Sequence, residues 1–159
     1  AWDQSRMGKS SVSCIDCHEV EPDSPMALSG VEGHEDLEVT VSMLVPPGVC
    51  EECHTETLAG GHFVSADKAV HLYYDVYFAE ADAMRVELAE AGLLKENPWK
   101  DEFQVIYYYL WHHEGRRARQ GALMGGADWA HWHGFFDLMQ DLYKLEEIYD
   151  MRMETGMIE

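Results

Sequence analysis

Cys14-Ile15-Asp16-Cys17-His18 returns as Cys50-Glu51-Glu52-Cys53-His54, and this repeated Cys-x-x-Cys-His pattern decides how the rest of the chain is read. Two thiols at that spacing can add to the two vinyl groups along one edge of a porphyrin, and the histidine that follows then lies beneath the iron as its proximal ligand. The expectation is two covalently bound haem c groups, held by Cys14, Cys17, Cys50 and Cys53, with His18 and His54 on the irons. Two other uses of paired cysteines compete. A four-cysteine zinc site would draw both pairs onto one ion, and structural disulfides would use the same four thiols. Neither requires a histidine directly after both pairs. With 9 histidines in 159 residues, chance places one there twice with a frequency of about 0.003, so haem accounts for the repeat better than zinc or disulfides do.

If haems fill much of an interior, the chain around them needs little regular structure. Residues 1–65 fit that picture: they hold four of the five prolines, many glycines and both motifs. Within them Leu37, Val39, Val41, Met43 and Val45 alternate as a short strand would, although Pro46-Pro47 suits an extended loop equally well. Residues 66–158 read as three helices. The first is expected from about Ala66 to Ala91, with Val70, Tyr73, Tyr77, Ala81, Met84 and Leu88 on one face and Gly92 as its stop. The second is expected from the capping pair Asn97-Pro98 to about Gln120, with Phe103, Ile106, Leu110 and His113 on one face. After a break over Gly121 to Gly126, the third is expected from about Asp128 to Glu154, where Phe135, Leu138, Leu142, Leu145 and Tyr149 step by three and four. That stripe suits packing within the chain, or association with a partner subunit. The expected fold is therefore mainly α, one domain over residues 1–159. It has a loop-rich dihaem segment (1–65) followed by about three helices (66–158), in the manner of multihaem c-type cytochromes.

Beyond His18 and His54, seven histidines remain to supply a sixth ligand, and nine methionines offer another route. His34 follows Gly33 and His62 follows Gly60-Gly61; a histidine beside glycine can approach a haem face closely. His113 shares a helix face with Ile106 and Leu110. His34, His62 and His113 are thus the candidate distal ligands. His71, within a helical pattern, and His131 and His133, flanking Trp132, read as structural.

The formal charge is −19 at neutral pH, which makes nucleic acid and anionic lipid surfaces poor partners. It suits a solvated acidic surface, or attraction of a basic redox partner. No run of about 18 apolar residues is present, so no membrane span is expected. Ala1 is not followed by a basic and then an apolar run, and the chain reads as a mature form. Haem attachment of this type happens outside the cytoplasm, which points to the periplasm or an equivalent compartment.

Several segments carry a family resemblance. Val12-Ser13-Cys14-Ile15-Asp16-Cys17-His18, Gly33-His34-Glu35-Asp36-Leu37 and Val49-Cys50-Glu51-Glu52-Cys53-His54 resemble consecutive haem segments of octahaem hydroxylamine oxidoreductases. Gly61-His62-Phe63-Val64-Ser65 resembles the surroundings of a family histidine. Trp111-His112-His113-Glu114-Gly115-Arg116-Arg117-Ala118-Arg119 and Asp128-Trp129-Ala130-His131-Trp132-His133-Gly134-Phe135 resemble the family's C-terminal helical region. The matches touch about half of the chain. The departures are the number of motifs, two where the family has eight, and Trp129 at the position of the tyrosine with which oxidative members crosslink a neighbour's catalytic haem. The resemblance implies a reduced relative, a small companion subunit to a larger hydroxylamine oxidoreductase-like multihaem chain. It further implies nitrogen metabolism, with the anammoxosome as the compartment in an anaerobic ammonium oxidiser.

The functional expectation is electron transfer by two six-coordinate haems, as a non-catalytic subunit of an oxidoreductase complex. The alternative is a haem enzyme with one open iron, acting on nitrite, nitric oxide or hydroxylamine, with Arg116, Arg117 and Arg119 holding the anion. A third reading is an assembly subunit whose haems chiefly fix its fold.

Overall fold

The computed structural model describes residues 6–11, 13 and 50–158. The first motif, with Cys14, Cys17 and His18, the candidate ligand His34 and the possible strand from Leu37 to Val45 lie outside the described residues. Within them the fold is helical throughout, with no strand.

After a single turn, α1 (Arg6–Lys9), three long helices follow. Helix α2 covers 56–90, α3 covers 102–123 and α4 covers 127–155; a 3₁₀ turn, Pro98–Lys100, precedes α3. Each long helix contains one widened, π-helical stretch: Tyr73–Phe78 in α2, Leu110–Glu114 in α3 and His131–Phe135 in α4. The flanking residues keep right-handed helical backbone angles, so each helix runs on through its π stretch.

Helix α2 begins ten residues before the expected Ala66. Thr55 explains the start: its Oγ1 accepts the Leu58 amide at 3.3 Å and its carbonyl accepts the Ala59 amide at 3.0 Å. Gly60 and Gly61, each costing about 1 kcal/mol against alanine in a helix interior, lie inside α2. The loop expected through residue 65 is therefore helix from Glu56 onward. The cap and the buried spacing of Ala59, Phe63 and Ala66 outweigh the glycines. Gly92 stops the helix as expected, at φ +71°, with the Leu93 amide reaching back to the Leu88 carbonyl at 2.8 Å.

Asn97 caps only the 3₁₀ turn, accepting the Trp99 amide at 3.1 Å, and Asp101 is the cap of α3 itself. The expected break at Gly121 starts later. Gly121 lies within α3, and the connection to α4 holds Gly125 at φ +64°. Gly156, at φ +67°, ends α4.

The described residues divide into two compact units, one with 6–11, 13, 50–68 and Leu123–Gly126, the other with Ala69–Ala122 and 127–158. In the second unit the sequence stripes meet. Tyr73, Ala81, Met84 and Leu88 from α2, Phe103, Leu110 and Ala118 from α3, and Leu138, Leu142 and Leu145 from α4 form one core. Each fully buried leucine contributes about 1.5–3 kcal/mol. The α4 stripe is thus used for packing inside its own unit, with Phe135 and Tyr149 partly buried at its ends.

Two features that sequence patterns did not indicate hold this unit together. Small residues let α3 and α4 touch at the backbone: a Cβ on Gly134 would stand 2.6 Å from Ala118 Cα, and one on Gly121 would stand 2.7 Å from the Ala130 nitrogen. At the other end, Arg152 and Asp101 form a fully buried two-pronged ion pair at 3.0 and 3.2 Å. Arg152 also donates to the Leu93 carbonyl at 3.0 Å, and Asp101 accepts the Lys95 amide at 2.7 Å. Burial works against the Asp101 charge, but hydrogen bonds from Arg152, the Lys95 amide and Gln104 outweigh it and hold the carboxyl below its ordinary range.

Candidate functional site

Residues 50–54 form a single tight turn directly ahead of α2. The amides of Cys53 and His54 both donate to the Cys50 carbonyl, at 3.2 and 2.9 Å. This winds the two cysteines of the motif onto one turn and leaves the histidine at its end. Cys50 is half-buried, Cys53 is exposed, and the two are not joined by a disulfide. The His54 ring is exposed, and Thr55, which follows it, is the residue that starts α2.

The electrostatics of the turn bear on its chemistry. Burial, and then the neighbouring Glu51 carboxylate, push the Cys50 thiol above its ordinary range. Redox-active cysteines are typically found in the opposite setting, a positive surrounding that favours thiolate. Two cysteines on one turn followed by an exposed imidazole fit the donor set of thioether haem attachment. Among the described residues no three His, Cys, Asp or Glu side chains converge so as to hold a metal ion.

The candidate distal histidines that the structure describes lie in different places. His62 is on α2, within a helix and not in a glycine loop, and its Nε2 donates to the Leu123 carbonyl at 2.8 Å. Serving iron through Nε2 would exchange that hydrogen bond for the metal. His113 sits on the π stretch Leu110–Glu114. Desolvation, followed by the charges of His112, Arg117 and Arg116, pulls its pKa below the ordinary value. Its ring lies 5.1 Å from those of both Tyr109 and His112.

His112 was not singled out by the sequence. Its ring stacks on Tyr108 at 4.7 Å with the planes 15° apart, and its Nδ1 is buried without a hydrogen-bond partner among the described residues. A buried, unsatisfied nitrogen is costly, and it is an available donor to a metal or a water. The only sequence signal was its place next to His113.

Of the histidines read as structural, His71 is exposed and lies 3.6 Å from Asp75. His131 and His133 are exposed on the π stretch of α4, which packs on that of α3. The His133 ring is 4.9 Å from Trp129, and the Arg117 guanidinium lies 5.7 Å over the same indole.

The three arginines of α3 have separate neighbours. Arg116 is exposed, and Arg117 lies 3.6 Å from Glu114. Arg119 lies 4.5 and 4.9 Å over the rings of Tyr73 and Tyr74, donating to the Tyr74 hydroxyl and to the Gly115 carbonyl. Arg117 and Arg119 are thus engaged with different partners, while Arg116 is exposed. Glu114, also unanticipated, is buried with Oε2 unpartnered among the described residues. Burial, then Asp141, raises its pKa.

Among the described residues no helix is long and apolar enough to cross a membrane. In comparison with protein-family models, with curated proteins and with solved structures, nothing matches the chain.

Proposed function

We propose that the chain is a dihaem c-type cytochrome that relays electrons as a small subunit beside a larger multihaem oxidoreductase-like chain. The observation that carries this reading is the Cys50–His54 turn. It winds two cysteines and an exposed histidine onto one turn, in a pattern that recurs at Cys14–His18. Haem held there supplies one-electron iron chemistry, tuned by its axial ligands and by burial. Cys50 and Cys53 would hold it covalently, and His54 would ligate its iron. Thr55, the cap of α2, directly follows His54. His62 and His113 remain candidate further iron ligands among the described residues, without assignment to either haem, and His112, with its unsatisfied nitrogen, joins them.

The acidic surface and an extracytoplasmic location fit a relay between proteins, with a basic patch on at least one partner. The engagement of Arg117 with Glu114 and of Arg119 with Tyr73 and Tyr74 favours relay over turnover of a small anion. Spectroscopy tests this reading. The reduced protein is expected to show low-spin haem c at both sites and no rapid binding of carbon monoxide. A high-spin band with prompt carbon monoxide binding would instead assign an open iron and the catalytic alternative.

A further inference from the structure

Helix α4 carries two stripes. One is the buried set Leu138, Leu142 and Leu145, which belongs to the core. The other begins at Trp132 (60 % exposed) and continues through Phe136, Met139 and Tyr143 (59 % exposed), at spacings of four, three and four. These four side chains share one outward helix face over about 16 Å. The Trp132 and Phe136 rings lie against each other at 5.5 Å, so the apolar surface is continuous there. Among the described residues this face is left exposed. An exposed stripe rich in aromatic residues is what partner-binding helices present.

The same four-three-four spacing continues past Tyr143, and the chemistry changes. Glu147, Asp150 and Glu154 occupy the next positions of the face, and all three are exposed. The strong bases of α4 do not offset them, because Lys144 is paired with Asp141 at 2.8 Å and Arg152 is buried against Asp101. Carboxylates are crowded here. Glu146 has its pKa raised by burial and then by Glu80 and Asp150. A cation brought to this end would relieve that crowding.

We propose that this face of α4 docks a helical segment of a partner protein, one whose apolar stripe meets Trp132, Phe136, Met139 and Tyr143 and whose lysines or arginines meet Glu147, Asp150 and Glu154. The change from apolar to acidic along one face fixes both the chemistry of the occupant and its register. A second copy of the chain is a poorer occupant. Parallel pairing would set the acidic ends against each other, and any pairing joins two molecules of charge −19. The inference stands on α4 alone, so it does not depend on the haem reading.

The test uses the full haem-loaded chain and synthetic helical peptides of about 21 residues, six turns. One half of the peptide face carries leucines at the four-three spacing and the other half carries lysines; it is made in both sequence directions, each with a glutamate twin. A lysine peptide in one direction is expected to bind, more weakly as salt rises, and neither glutamate twin is expected to bind. Glu147→Lys with Asp150→Lys and Glu154→Lys should weaken binding at least tenfold, as should Met139→Ser with Tyr143→Ser. Glu90→Lys with Glu96→Lys and Glu102→Lys, an equal charge change at exposed positions off this face, should leave affinity within twofold. Equal weakening by both charge reversals, or binding of a glutamate twin, would overturn the proposal. So would a dimer of the chain that Met139→Ser with Tyr143→Ser abolishes, since a second copy would then be the occupant.

Discussion

Between the unit of Ala69–Ala122 with 127–158 and the unit around the Cys50–His54 turn, the material of the interior differs. In the first, Tyr73, Phe103, Leu88, Leu110, Leu138 and Leu145 are essentially fully buried, and a two-pronged ion pair and two glycine contacts add to them. In the second, the buried apolar residues among those described are Ala59, Phe63 and Ala66. The first unit has a side-chain core of its own, whereas the described part of the second buries only a short face beside the Cys50–His54 turn. On the proposed reading, a chain of this size divides its folding between side chains and a prosthetic group.

That contrast can be broken most forcefully at the ion pair. Arg152→Leu leaves Asp101 buried without its countercharge and should cost about 3–5 kcal/mol in urea unfolding. Unaltered stability would mean that the pair is dispensable to the side-chain core. Leu145→Ala, at a position with no exposed surface, should cost about 2–5 kcal/mol by the same measurement. Gly134→Ala pushes a methyl group into the Ala118 backbone and should cost about 1–3 kcal/mol; a neutral result would show that α3 and α4 can separate freely.

The pH dependence of the ion pair has a definite sign. The Asp101 carboxyl is held below its unfolded value. Its stabilising contribution is therefore present above the unfolded pKa and is lost as pH falls through the folded one. Acid titration of stability should flatten in Asp101→Asn relative to the parent chain.

The smallest effect is expected on the other side of the comparison. Thr55→Ala removes the cap of α2 and should cost about 1 kcal/mol. If the turn is tied to the haem, this substitution should also disturb the spectrum of one haem, whereas Leu145→Ala should leave both spectra as they are.

The sequence was most informative where period alone decides the outcome. Leu138, Leu142 and Leu145 step along one face, and Gly92 stops a helix because only a residue tolerant of positive φ fits there. It was less informative where two signals compete, as at Gly60-Gly61, where weak helix formers sit inside a helix started by Thr55 and held by a buried face. The π stretches shift the register by a fraction of a turn, which an apolar pattern does not record. The Asp101–Arg152 pair joins residues 51 positions apart, and the contact of Gly134 with Ala118 depends on how two helices cross. Neither has a local signal. At the site, the adjacency of the cysteines and His54 is local chemistry and could be read directly. The surroundings of His62, His112 and His113 depend on helix packing and could not.

The most direct measurement is the intact mass of the purified chain under denaturing, reducing conditions, followed by sequencing of the fragment that contains Cys50–His54. The account predicts a mass increased by two haems, one of them retained on that fragment through Cys50 and Cys53. A bare polypeptide mass, or a fragment with unmodified cysteines and zinc in the native protein, would contradict it.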